Sequence, residues 1–134
     1  MHDIRMVRDA ADTLREGMRR RGKADTLGPL VERAVALEGE RRTAIQATEE
    51  KKAARNVASH EVAARKKAGQ PAADLLARAR ALGDEIAALE QRQGAAQSEL
   101  EEILMGLPNI TLPDVPEGDE THNAVQRTWG TPRA

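Results

Sequence analysis

The 134-residue chain has no cysteine, no phenylalanine, no tyrosine and a single tryptophan. Without cysteine there can be no disulfides, thiolate zinc sites or cysteine nucleophiles. Three histidines, His2, His60 and His122, are scattered and form no ligand set. Hydrophobic residues make up 40% of the chain, but 24 of these 53 are alanine. The 29 larger apolar side chains are too few for a thick globular core, because burial of whole Leu, Ile and Val side chains is the main term favouring folding. No apolar run reaches the length of a membrane span, and Met1-His2-Asp3-Ile4-Arg5 has no apolar signal segment. The expectation is a soluble cytoplasmic protein. Charge is abundant, at 32%, alongside alanine and leucine, which is the composition of long helices and coiled coils.

The pattern predicts an all-α fold: a long antiparallel two-helix coiled-coil hairpin, a short N-terminal helical segment at its base and an extended C-terminal tail. Ile4, Val7, Leu14 and Met18 fall at helical spacing within residues 3–21. Asp3 suits an N-cap and Gly22 a stop after Arg19-Arg20-Arg21. Asp9 and Asp12 are the cap candidates for a break near Asp9. Residues 22–28 read as a loop, with Pro29 in the first turn of the next helix. From there to Ala68 the only interruption is Gly39, which predicts one helix of about 40 residues, about 60 Å long. Gly69-Gln70-Pro71 marks a hairpin tip at 68–72, and this break favours a hairpin over a segment of a parallel dimer.

The return helix, 71–106, carries the clearest seam: Leu75, Ala79, Leu82, Ile86, Leu89, Gln93, Ala96, Leu100, Ile103 and Leu107, in alternating steps of four and three. The outgoing seam is more polar: Leu30, Ala34, Leu37, Arg41, Ala44, Thr48, Lys51, Arg55, Ala58 and Val62. Pairing about the tip sets Ala58 near Leu82 and Leu37 near Ile103. Residues 107–134 hold four of the six prolines and cannot be helical for long. Residues 124–129, with Val125 and Trp129 at even spacing, are a strand candidate that needs a partner to be stable. The domains are therefore read as a helical unit at 1–107, with its hairpin at 29–106, and a proline-rich linker at 108–134.

The near-zero net charge of −1 hides a partition. Residues 1–28 sum to +2, residues 29–40 to −2, the distal hairpin 41–92 to +4 and residues 93–134 to −5. One reading of the basic arm is a solvated coiled-coil surface with intrahelical pairs such as Glu61–Arg65. The other is a phosphate-binding surface. An arm without aromatics cannot stack unpaired bases. Its lysines and arginines would instead position a structured RNA by shape and backbone, with strong salt dependence.

Asp3-Ile4-Arg5 with Arg8, Arg20-Arg21-Gly22, Glu40-Arg41-Arg42, Arg55-Asn56 with Ser59, and Lys66-Lys67-x-Gly69 resemble the N-terminal domain of bacterial seryl-tRNA synthetases. So do Leu107-Pro108-Asn109-Ile110, Val115-Pro116-x-Gly118, Asn123 and Trp129-Gly130-x-Pro132-Arg133, which resemble that family's junction into its catalytic domain. The resemblance implies an arm that reaches the long variable arm of serine tRNA and orients it for serylation, with selenocysteine tRNA as a second candidate. It carries Arg55, Asn56, Ser59, Lys66 and Lys67 over as RNA-contacting positions. Lys52, Arg78 and Arg80 join them from charge and position. Arg55 and Lys51 also fall on the seam, so pairing of the helices is an alternative role for both.

Four departures stand out: Gly39 before Glu40, His60 after Ser59, and Thr48 and Lys51 at seam positions where the family usually has leucine. With Gly83 and Gly94, each costing about 1 kcal/mol of helix stability, they predict a pliable arm, loosest between Lys51 and Gln93. This chain has no phosphate-cradling loop, metal cluster or nucleophile with a base, so no cofactor and no catalysis are expected of it alone. ATP and magnesium would belong to the catalytic domain of a parent ligase, expected beyond Arg133. No membrane or DNA partner is expected. Two other readings stay open: a structural coiled-coil module that binds protein, and a free-standing arm acting on tRNA in trans.

Overall fold

A computed structural model describes residues 2–131. The described residues form four α-helices and one short 3-10 turn, and contain no strand. Helices α1 (Ile4–Asp9) and α2 (Ala11–Arg20) lie against the foot of a hairpin made by α3 (Ala24–Lys67) and α4 (Ala73–Gly106). At 44 residues α3 is about 66 Å long, and α4, with 34, about 51 Å. No helix among the described residues is long and apolar enough to cross a membrane.

Local signals explain most helix ends. The Asp3 carboxylate accepts from the Arg5 N–H at 2.8 Å and starts α1. At Gly22 (φ +65°) the Gly22 N–H reaches the Arg19 carbonyl at 2.9 Å and the Lys23 N–H reaches Met18 at 2.9 Å. Gly69 (φ +70°) repeats this at the tip, with Gly69 bonded to Lys66 and Gln70 to Arg65. Both glycines close their helices in the left-handed conformation that a side chain disfavours. The break between α1 and α2 falls at Ala10, as expected, but neither Asp9 nor Asp12 caps α2. Asp9 is held by Arg8 at 2.7 Å, and Asp12 by Arg15 at 2.7 Å.

The outgoing helix starts earlier than the proline suggested. It begins at Ala24, so the loop shrinks from 22–28 to three residues and Pro29 lies inside α3. Pro29 removes one hydrogen bond, the one that would run to the Asp25 carbonyl. Leu27, packed against the basal core, and the fully buried Val31 favour carrying the helix through it. The return helix starts at Ala73, so Pro71 precedes it rather than opening it.

All ten seam residues of the return helix are buried or half-buried. Two outgoing positions differ from expectation. Leu30 is exposed while Val31 is buried, because α1 and α2 also pack on the foot of α3 and rotate its buried arc. Arg55 is exposed while the small Ala54 turns inward between Lys51 and Ala58. The foot carries the main core, which includes Val7, Leu14, Met18, Leu37, Leu100 and Leu104. A second cluster of Val62, Ala72 and Leu75 closes the tip. Between them Ala44, Thr48, Ala58 and Ile86 are buried but belong to neither cluster. Alanine here lets two helices approach closely.

Thr48 is the weak point of this stretch. It is 3% exposed and its hydroxyl has no hydrogen-bond partner. Thr48→Val keeps the shape and removes the unsatisfied group, so it should stabilise the chain by about 1 kcal/mol. Thermal melting should rise by about 3 °C, and amide exchange in the middle of the shaft should slow. An unchanged melting temperature would show that the hydroxyl carries no cost.

The tail leaves α4 at Leu107 and runs back along α2. No strand forms at 124–129; Val125 and Trp129 are 82% and 87% exposed. A single strand without a partner does not hold itself together. Trp129 instead lies under the Arg127 guanidinium at 5.4 Å. Pro132 and Arg133 of the junction motif lie outside the described residues.

Candidate nucleic-acid interface

A heptad repeat keeps residues seven apart on one side of a helix pair. Ion pairs across the hairpin show which sides meet. Lys52 reaches Glu90 at 3.1 Å and spans one face. Arg33 to Glu99 at 2.7 Å and Arg65 to Asp74 at 3.1 Å span the other, and Lys51 pairs with Glu85. The tip and mid-shaft pairs lie within about a turn of the register that sets Ala58 opposite Leu82. These pairs are largely exposed, so they fix register more than stability.

The candidate residues sort onto these faces. Lys52, Ser59 and Lys66 are strict heptad neighbours on α3, and Arg55, Asn56 and Lys67 flank them on the same side. Arg80 follows the steps 80, 83, 87 and 90, which place it in the stripe of Glu90. Arg78 follows 78, 81 and 85 into the stripe of Glu85, on the face of Arg65 and Asp74. The fold therefore gathers seven of the eight residues on one face, over about 21 Å between Lys52 and Lys66. It leaves Arg78 on the other. Arg42, read only as part of a motif, shares the heptad of Asn56 and extends the first face toward the foot.

All eight candidates are exposed. Arg55, Lys66, Lys67 and Arg80 have no carboxylate within ion-pair distance among the described residues. The Ser59 hydroxyl donates to the Arg55 carbonyl at 2.9 Å, which leaves its oxygen free to accept. Arg65 does not pair with Glu61 as helical spacing suggested. It crosses the tip to Asp74 and approaches the Pro71 carbonyl at 3.4 Å. The Asp74 carboxyl lies below the usual range, first because the Leu75 N–H donates to it and then because of Arg65. On the same face the Arg33 guanidinium lowers Glu99. One face carries the ion pairs of Arg33, Lys51 and Arg65, with Arg78 and Arg92 unpaired among the described residues, while the other presents several unpaired cations together with Asn56 and Ser59. Such a surface can bind phosphate and 2′-hydroxyl groups of folded RNA without reading bases.

The family model described as "Seryl-tRNA synthetase N-terminal domain" matches residues 1–111. The serine–tRNA ligase of Gemmatimonas aurantiaca is 57% identical over 133 residues, covering 99% of this chain and 31% of that protein. The serine–tRNA ligase of Paramagnetospirillum magneticum is 38% identical over 135 residues, covering 100% of this chain and 31% of its own length. The crystal structure of seryl-tRNA synthetase from Pyrococcus horikoshii complexed with ATP matches with a TM-score of 0.88 at 31% identity, over 97% of this chain and 29% of that one. The chain thus spans about a third of the length of these relatives. Sequence motifs, hairpin geometry and family match agree: the chain belongs to the seryl-tRNA synthetase N-terminal domain family.

Proposed function

We propose that this chain is the RNA-presenting arm of a serine–tRNA ligase. It docks on the long variable arm of serine tRNA through one face of the hairpin and so orients the tRNA for serylation. Serine activation, with ATP and magnesium, would fall to a catalytic domain outside this chain, in the cytoplasm where translation takes place. One observation carries the reading: an aromatic-free face that gathers Lys52, Arg55, Asn56, Ser59, Lys66, Lys67 and Arg80, with four of its cations unpaired among the described residues. Lys52, Arg55, Lys66, Lys67 and Arg80 contact phosphates; Asn56 and Ser59 contact sugar hydroxyls.

Five phosphate contacts give a slope of about −4 for the logarithm of the binding constant against that of salt concentration. A gel shift with serine tRNA, intact and with its long variable arm deleted, tests the proposal. The intact tRNA should bind at least ten-fold more tightly, with that salt slope. Equal affinity for both RNAs, or no binding at low salt, would overturn it.

A further inference from the structure

Leu107 and Ile110 pack the start of the tail onto the basal core, but beyond Ile110 the tail is held to the helical body mostly through its backbone. Leu112 is 68% exposed and Val115 39%, so neither contributes a buried anchor. Their carbonyls and that of Pro113 instead point at one guanidinium, with Arg20 donating at 3.2 Å to Leu112, 3.0 Å to Pro113 and 2.8 Å to Val115. The Gly118 N–H returns a bond of 2.7 Å to the Arg20 carbonyl. Arg21 donates to the Asn109 carbonyl at 2.8 Å, and Arg19 grips Glu117 at 3.0 and 3.1 Å. The Arg20 side chain is well enclosed, only 16% exposed, against 53% for Arg19. Guanidinium is suited to this task because its planar fork holds several acceptors in fixed directions.

A tail fastened only for stability would bury its apolar side chains, which is where folding free energy comes from. Beyond Ile110 this one fixes the path of the chain and leaves Leu112 and Val115 outside. Pro113 and Pro116 stiffen it further. At Gly118 the backbone takes φ +113°, where an added Cβ would meet His122 at 2.6 Å, so any side chain there would force the tail onto another path.

We propose that Arg20, supported by Arg19 and Arg21, is a positioning residue that sets the angle between the arm and the ligase body that follows the tail. This rests on the reading of the hairpin as an RNA-presenting arm. The arm is a lever, so a tilt of about 10° at its foot would move a tip about 60 Å away by roughly 10 Å. Displacements far smaller than that are enough to spoil the placement of a reacting group. The clasp therefore acts on tRNA delivery and leaves both the RNA face and serine activation untouched.

The test uses a full-length ligase that contains this segment, with Arg20→Ala and Arg20→Lys. An ammonium cannot span three carbonyls, so lysine should behave like alanine. The KM for tRNA should rise at least ten-fold, with a smaller change in kcat. Serine-dependent ATP–pyrophosphate exchange should stay within two-fold. The 134-residue chain carrying either substitution should bind serine tRNA within two-fold of the parent. A Gly-Gly insertion between Gly118 and Asp119 leaves the clasp intact and should raise KM in the same way. An unmoved KM in these variants, a silent insertion, or a loss of RNA affinity in the substituted chain that matches the KM rise would each overturn the clasp. If the unsubstituted chain fails to bind tRNA, the RNA reading falls and this proposal with it.

Discussion

Exchanging Lys66 and Lys67 for glutamate should lower the affinity of the chain for serine tRNA by about 100-fold at low salt. Both side chains are exposed in the last turn of α3, and neither has a carboxylate partner among the described residues. Their interaction with phosphate is therefore not offset by an ion pair lost on binding. A charge-assisted hydrogen bond contributes about 1.5 kcal/mol or more, and each 1.4 kcal/mol is ten-fold in affinity. The slope of affinity against salt should flatten by about two units, because two phosphate contacts are removed. Arg78→Glu provides the control. It changes the charge at the same end of the arm but on the opposite face, and should leave affinity within two-fold. A filter-binding titration at three salt concentrations reads all of this. Equal losses from Lys66/Lys67 and from Arg78 would mean that the arm attracts RNA by overall charge rather than through one face.

Leu100→Ala destabilises the chain by about 3 kcal/mol, which corresponds to a fall of about 10 °C in melting temperature. Leu100 is 0% exposed and shares the basal cluster with Val7, Leu14 and Leu37, which come from α1, α2 and α3. Truncation leaves a cavity where four helices meet, and the packed foot cannot collapse into it easily. Leu76→Ala is the contrast. Leu76 is 38% exposed on the arm, so its loss should cost less than about 1 kcal/mol. Denaturant unfolding followed by circular dichroism checks both. A loss below about 1 kcal/mol at Leu100 would show that the foot is not the stabilising core.

The hairpin was readable because its signals are periodic and local. An unbroken four-three seam from Leu75 to Leu107 and the Gly69 turn are enough to pair two helices. Readings failed where a third layer intervened. Leu30 fits a two-helix seam, yet α1 and α2 shift the buried arc to Val31 and cover Leu104 as well. Pro29 looked like a start signal, but burial of Leu27 and Val31 outweighs one lost backbone bond. The residue types at the proposed RNA face were legible as charge and motif. Their division between two faces became clear only from the ion pairs across the hairpin, which separate Arg78 from Arg80, and from burial, which leaves Arg55 outside. Arg20-Arg21-Gly22 and Val115-Pro116-x-Gly118 were legible as motifs, but the clasp between them was not, because backbone carbonyls accept its bonds whatever side chains they carry.

The absence of cysteine makes the central claim, that RNA lies on one face of the hairpin, directly testable. Single substitutions Ala63→Cys, Val57→Cys and Ala81→Cys each place one thiol on an exposed position of the arm. Ala63 lies on the stripe of Arg42 and Asn56, whereas Val57 and Ala81 lie on the opposite face. Each thiol is tagged with a short photo-crosslinker and irradiated with bound serine tRNA. The one-face account predicts strong crosslinking from residue 63 and little from residues 57 and 81. Equal yields from all three, or a stronger yield from residue 81, would contradict it.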